Sequence, residues 1–465
     1  MGFLRNKVMK KTAFFLFLIS FFVLVSCESD DILNVWKNNV ETDCSQASVN
    51  RHAFAYLKEW YLWYEHLPAV NPADYESLSA MISAIKYREG DTLIDRFSYA
   101  VKKAEHDDYY AGKRYGMGMS MQRDENNDIF ITLVYPESPA GIAGLRRGQQ
   151  LLAMNGVSVE ELDENAAYNK EHRDDEDFEE KTDWNNVYDA ENKGEAVQFK
   201  VLEHGDELET TVYLDDYTGK SVLADKILEY DGVKTGYIHF KAFINSSEDE
   251  LNEVFARFKE ENVEHLVLDL RYNGGGLVRI AHQLVNLIVG DKVKGDEIIK
   301  LIYNNKHSDQ NYSYKGDVLK NSLSGIKKVA VIVSSGTASA SEMVINSLTP
   351  YVEVALIGET TYGKPVGMNS KDICDQTIVP ITFKYANSQD YGDFFLGMEP
   401  TCAATDDIKH DFGDEREGEL AASLYFLSNG KCPSNAAVKS PKKRKTIEEL
   451  IPIELKGMGK IDYSF

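Results

Sequence analysis

The sequence predicts an α/β core, a mixed sheet flanked by helices, preceded by a small N-terminal helical cap and a separate strand-rich segment. Three observations carry this. From residue 220 onward strand and helix patterns alternate, beginning with "KTGYIHFKAF", "SSEDELNEVFARFKEE" and "EHLVLDL". Such alternation builds a partly parallel sheet with helices on its faces. Residues 115 to about 215 instead read as short strands between glycine- and asparagine-marked turns. Residues 45 to 100 are rich in aromatic and helix-forming types. With 465 residues the chain can fill several such units, each with its own core.

The chain opens with "MGFLRNKVMKKTAFFLFLISFFVLVSCESDD". Arg5, Lys7, Lys10 and Lys11 form a positive region, and residues 13 to 25 form an apolar run too short to span a membrane comfortably. Its end, Leu24-Val25-Ser26-Cys27, resembles the lipobox of bacterial lipoprotein signal peptides. The resemblance implies that residues 1–26 are removed and that the Cys27 thiol carries lipid. Several acyl chains on one residue hold a protein stably to a bilayer, where a single chain is marginal. The following "CESDD" is similar to the export signal of some Bacteroidetes lipoproteins. The implied location is the bacterial cell envelope, anchored at the outer membrane.

Residues 27–110 read as a linker and the cap. Tyr56, Trp60, Trp63 and Tyr64 recur at helical spacing and are expected to form its core, and "DRFSY" at 95–99 closes it. In the next segment, 111–217, Ile129, Ile131 and Val134 alternate as in a strand, Asn155-Gly156 marks a tight hairpin, and a second hairpin turns at Gly205-Asp206. An acidic run at 160–195 has little periodicity and is expected to be a solvated helix or a mobile insertion. The α/β core occupies 218–432. The tail, 433–465, contains "KSPKKRK" and reads as a loose appendage.

The formal net charge of −24 argues against a broad nucleic-acid surface, which needs clustered Lys and Arg. Besides Cys27 the cysteines are Cys44, Cys374, Cys402 and Cys432, with no C-x-x-C pair, so no metal site is expected. In an oxidising envelope they allow three disulfide pairings. Cys374 and Cys402 bracket a hairpin-like stretch, 375–401, and are expected to pair, leaving Cys44 with Cys432.

The strand pattern "KKVAVIV" runs into Ser334-Ser335-Gly336-Thr337 and then an alanine-rich helix beginning near Ser339. A serine there sits where backbone N–H groups favour developing negative charge, although Ser339 or Ser341 could equally cap the helix. The pattern is not G-x-S-x-G. Lys364 lies among Tyr362, Gly363, Pro365 and Val366. Desolvation there would favour the neutral amine and bring its pKa from ~10.4 toward neutrality, as a general base requires. "DLRYNGGG" at 269–276 ends a strand in glycines whose N–H groups could approach a substrate oxygen.

Taken together, "SPAGIAGLRRGQQLLAMNG", "GYIHFKAF", "LVLDLRYNGGG", "GTASASEMV" and "GETTYGKPVG" make the chain resemble the C-terminal processing (tail-specific) serine proteases over roughly residues 50 to 430. That family combines an inserted PDZ domain with a Ser/Lys catalytic core. The resemblance implies Ser339 as nucleophile and Lys364 as general base. It implies Ala340, with Gly275 and Gly276, as oxyanion donors. Tyr115, Gly116, Met117, Gly118 and Met119 match a carboxylate-binding loop of the PDZ domain. The implied partners are polypeptide substrates with exposed C-terminal tails, and no cofactor is implied. Two positions depart from the family pattern. Met368 stands where many relatives carry a glutamine that orients the lysine, and Pro350 where many carry Asp. Met368 favours the alternative reading, a peptide-binding PDZ protein of weak catalytic power.

Overall fold

In the computed structural model a six-stranded sheet organises the core. Its order is Val222–Tyr230, Val233–Phe240, His265–Asp269, Lys328–Val333, Glu353–Gly358, Cys402–Ala403. The first pair is antiparallel and the remaining four are parallel, so the sheet is mixed. Successive side chains alternate between two cores, as a doubly covered sheet demands. Leu266, Leu268, Val329 and Val331 pack with helices Ser247–Glu260, Val278–Val289 and Ala340–Leu348. Val267, Ala330, Ile332 and Ala355 pack under helix Gly418–Asn429. The structure describes residues 43–434 apart from 174, 176, 177 and 189. Cys27, the signal segment and nearly all of the tail therefore lie outside the described residues.

The strand-rich segment is an antiparallel sheet in the order Asp206–Tyr213, Ala196–Glu203, Gln150–Met154, Ile129–Val134, Met119–Arg123. Asn155 and Gly156 both have positive φ between Met154 and its partner Val157, the hairpin that their types demand. The second hairpin turns at His204-Gly205, one residue earlier than expected, because Glu203 pairs directly with Asp206. Strands Lys113–Gly116 and Asp215–Thr218 enter and leave this domain side by side, forming its neck.

The acidic run begins as the expected solvated helix and departs from expectation in its return limb. Val159–His172 is a helix capped by Ser158, and the return limb is docked rather than loose. Val187 and Tyr188 are buried in the domain core, and buried Asp183 accepts from Asn169 and from the Asn185 N–H. Asp163 holds Arg123 through both carboxylate oxygens and also accepts from the Trp184 indole.

The cap is helical only in part. Its core is Val49, Ala53, Phe54 and Leu57 with Leu78, Met81 and Ile82, while Tyr56, Trp63 and Tyr64 flank it half-buried. Trp60 leaves this cluster to stack on His307 at 3.7 Å. The segment after "DRFSY" does not close the cap. Tyr99–Lys102 pairs with Gln376–Val379 of the core hairpin, so cap and core share a sheet.

The expected disulfides are replaced by another pairing, Cys44–Cys374 and Cys402–Cys432. Residues 375–401 do not return on themselves, because Ile381–Ala386 joins a different sheet, between Glu297–Tyr303 and Val366–Met368. Cys374 turns the hairpin against the first cap helix, where Gln376 donates to Gln46. Cys402 lies on the last sheet strand, beside the chain that leaves helix Gly418–Asn429. Peptide mapping of unreduced protein should recover Cys44 joined to Cys374 and Cys402 joined to Cys432. A peptide joining Cys374 to Cys402 would contradict this arrangement.

Candidate active site

Ser339 stands at a sharp turn between strand Lys328–Val333 and helix Ala340–Leu348. Its φ of 57° and ψ of −115° belong to a region that non-glycine residues avoid. Such a conformation costs about 1–3 kcal/mol and persists only where surroundings impose it. Three contacts do so. The Glu342 carboxylate accepts the Ser339 N–H at 3.0 Å, and the Met343 N–H (2.8 Å) and Tyr385 hydroxyl (3.0 Å) both donate to the Ser339 carbonyl. An ordinary cap residue would have β-region dihedrals, so Ser339 is more than a helix cap.

The turn carrying Lys364 is bound to the serine turn through the same carboxylate. Glu342 also accepts from the Thr361 hydroxyl at 2.6 Å, the Gly363 N–H at 2.7 Å and the Lys364 N–H at 2.8 Å. The Tyr362 N–H donates to the Thr337 carbonyl, and the Tyr385 hydroxyl reaches the Lys364 carbonyl as well. Glu342 is wholly buried, which raises its pKa against the four donors that favour the anion.

Lys364 is 3% exposed. Its ammonium lies 5.6 Å from the Phe97 ring centre and 3.6 Å from Met368 Sδ. Burial pushes its pKa down to about 8, while Asp95 and Glu342 pull the other way. Thus "DRFSY", read as the end of the cap, also forms a wall of the lysine pocket. Buried Asp95 accepts from the Tyr61 hydroxyl and from the N–H groups of Phe97 and Ser98. Arg96 donates to the carbonyls of Tyr362, Gly363 and Phe395.

The glycine loop is stitched to the serine turn by Asn273, whose carbonyl accepts from the Ala338 N–H and the Ser341 hydroxyl. Gly275 has φ +103° and lies so close that an added Cβ would fall 2.8 Å from Ala340 N and Ser339 Cβ. Only glycine fits there. Its N–H, however, donates to Asn273 Oδ1 at 2.9 Å, so in this conformation Gly275 acts as scaffold rather than oxyanion donor. Gly274 and Gly276 line the cleft beside Ala340.

Ser339, Ala340 and Lys364 open into one cleft of about 1360 Å³ that extends to the strand-rich domain. Of the five residues expected to bind peptide there, Tyr115, Gly118 and Met119 line it and Gly116 and Met117 do not. Met117 is turned into the domain core, and its carbonyl accepts from the Ala140 N–H.

This geometry agrees with comparisons to known proteins. A model described as Peptidase family S41 matches residues 234–404, one for the Peptidase S41 N-terminal domain matches 48–99, and one for the PDZ domain matches 109–172. Residues 234–404 carry a peptidase family S41 domain, and its N-terminal domain lies ahead of them. It is 25% identical over 294 residues to the carboxyl-terminal-processing protease of Picosynechococcus sp., covering 62% of this chain and 64% of that one. It is 25% identical over 268 residues to the carboxy-terminal processing protease CtpA of Bacillus subtilis, covering 57% of this chain and 51% of that one. The chain therefore matches between half and two thirds of the length of these relatives. A solved S41-family structure from Bacteroides fragilis shares the fold, with TM-score 0.66 and 23% identity over 81% of this chain and 97% of that one.

Within this S41 core the sequence motifs located Ser339 and Lys364, and the structure brings their turns together. Glu342, Tyr385, Asp95 and Phe97 escaped notice. A signal for Glu342 was present, since Ser339-x-x-Glu342 has the spacing of a capping box. Nothing local marks Tyr385, which comes from a strand of the second sheet. Replacing Glu342 with Ala strands four buried donors, each costing about 1–3 kcal/mol. Glu342→Ala should lower the denaturant midpoint, whereas Ser339→Ala should leave it near that of the parent. Equal midpoints for Glu342→Ala and parent would contradict the bridging role.

Proposed function

We propose that the protein is a serine endopeptidase that cleaves polypeptides through a Ser339/Lys364 dyad, with the PDZ domain presenting exposed C-termini to the cleft. The observation that carries this reading is the pairing of a strained serine turn with a buried, pKa-lowered lysine through one carboxylate. In the neutral form Lys364 takes the Ser339 proton as Oγ attacks the substrate carbonyl. The acyl-enzyme forms as the peptide C–N bond breaks, and the leaving amine receives the proton from Lys364. Water then repeats the sequence in reverse and releases the acid. The Ala340 N–H with those of Gly274 or Gly276 would stabilise the oxyanion, a donor of that kind being worth about 3 kcal/mol. Met368 offers Lys364 only a weak sulfur acceptor. It thereby holds the side chain in place without adding a negative charge that would stabilise the ammonium.

The test is cleavage of an unstructured protein with mapping of the new termini. Ser339→Ala and Lys364→Met should each reduce cleavage by at least about a thousandfold while the proteins stay folded. Full activity in Lys364→Met would remove the dyad. The base works unprotonated, so kcat/KM should rise with pH through about 8 and level off above it. A flat profile between pH 6 and about 9 would contradict the role of Lys364.

The same proposal places the protein at the outer membrane by lipid on Cys27. Cys27→Ala should shift the protein from the membrane fraction to the soluble fraction of the native host. Mass spectrometry of the mature N-terminus checks it directly.

A further inference from the structure

Ser339 shares its site with a second strained residue. Tyr272, between strand His265–Asp269 and the glycine loop, has a φ of 66°. Asparagine, aspartate and histidine tolerate that region, and among the described residues they hold most of the other non-glycine positions that adopt it. A bulky aromatic residue does not tolerate it, so its surroundings must impose the conformation. Three contacts do this. The Asn273 N–H donates to the Leu270 carbonyl at 3.0 Å and closes a turn with Arg271 and Tyr272 at its centre. The Tyr272 hydroxyl meets Arg147 at 3.0 Å and also Asp406. Its carbonyl, from which the chain enters the loop, accepts from Lys241 Nζ at 2.6 Å.

Lys241 is half-buried in the wall of the cleft, and among the described residues its side chain bonds to that carbonyl alone. Desolvation, with the Arg114 charge nearby, pushes its pKa down to about 8. An amine keeps N–H donors after it loses its proton, so the bond persists where Lys364 works as a base. The chain around Lys241 completes the hold. The Phe240 carbonyl accepts from Asn273 Nδ2 at 2.7 Å. The Phe243 N–H donates to the Gly275 carbonyl at 3.0 Å, and the Leu277 N–H donates to the Phe243 carbonyl at 2.8 Å. Those bonds grip the loop from Asn273 onward, while Lys241 grips the strained residue ahead of it.

We propose that Lys241 is a positioning residue for cleavage: by holding the Tyr272 carbonyl it keeps the strained turn in place, and thereby sets the glycine loop that receives the oxyanion together with Ala340. It does for Tyr272 what Glu342 does for Ser339, as a distant partner securing a conformation that the residue would otherwise leave. The catalytic consequence rests on the peptidase reading, whereas the hold on the loop is measurable without cleavage.

The experiment compares the full chain with its Lys241→Met form by amide hydrogen exchange and by steady-state cleavage of an unstructured protein. Residues 271–277 should exchange at least about tenfold faster in Lys241→Met, with exchange elsewhere near parent values. The kcat should fall about ten- to a hundredfold at nearly unchanged KM, because the loop serves the transition state. Lys241→Arg, which still donates, should recover most of both. Strain is tested in a Tyr272→Gly background, because glycine adopts positive φ freely. There, adding Lys241→Met should lower kcat by no more than about twofold. Unchanged loop exchange in Lys241→Met overturns the proposal. So does an equal loss of kcat in the parent and Tyr272→Gly backgrounds, or a rise in KM alone, which would assign Lys241 to substrate contact. A Lys241→Met chain that folds only alongside Tyr272→Gly supports the proposal, and one that folds in neither background overturns it. Faster loop exchange in Lys241→Met when the parent does not cleave leaves the hold standing and removes the peptidase reading. Cleavage with loop exchange unchanged does the reverse.

Discussion

One buried carboxylate holds the site together. Glu342 gathers donors from both turns, the Ser339 N–H on one side and Thr361, Gly363 and Lys364 on the other. Charge-assisted hydrogen bonds of this kind are strong and directional, and in a buried setting none can be exchanged for water. They fix two backbone segments that are distant in sequence and hold Ser339 in a conformation it would otherwise leave. The positions from which Ser339 and Lys364 project follow from that anchor.

A second buried network joins the domains. Arg271, immediately before the glycine loop, is fully buried and bonds Asp269, Asp406, Glu417 and Glu419. Arg147 of the PDZ domain reaches the same Asp406 at 2.5 Å, and donates also to the Tyr272 hydroxyl and the His410 carbonyl. Tyr272 closes the circuit through its own bond to Asp406. Three of these carboxylates, Asp406, Glu417 and Glu419, approach within 4.8 Å of one another, and Arg271 is bonded to all three. Four carboxylates face two arginines here, and burial together with the neighbouring carboxylates pushes the Glu419 pKa well above the usual carboxylate range, so losing either arginine would leave further carboxylates uncompensated at the domain junction.

The cap contributes to the chemistry as well as to stability. Phe97 and Asp95 form the apolar and the ionic sides of the lysine pocket, and Arg96 clamps the carbonyls around Gly363. Desolvation of Lys364 therefore depends on a segment more than 250 residues earlier in the chain, with Arg96 and Gly363 separated by 267. The Cys44–Cys374 disulfide and the shared strand Tyr99–Lys102 bind that segment to the core.

Much of this was legible in the sequence because it is written in local spacing. Unbroken apolar runs in "EHLVLDL" and "KKVAVIV" specify strands buried on both faces, and Asn155-Gly156 specifies its own turn. The motifs around Ser339, Lys364 and the glycine loop carry a family resemblance, and the PDZ and S41 matches agree with it. Other features depended on which distant segments meet. Cys374 pairs with Cys44 rather than Cys402 because the intervening chain departs to another sheet. Gly275 loses its role as donor because the Asn273 side chain takes its N–H, and Met117 leaves the peptide groove because its side chain fills the domain core. Tyr385 becomes a bridge between Ser339 and Lys364 only once its strand is in place. Periodicity and turn chemistry are short-range properties that a sequence determines by itself. Partners across tens or hundreds of residues are selected by packing, which exists only in the folded chain.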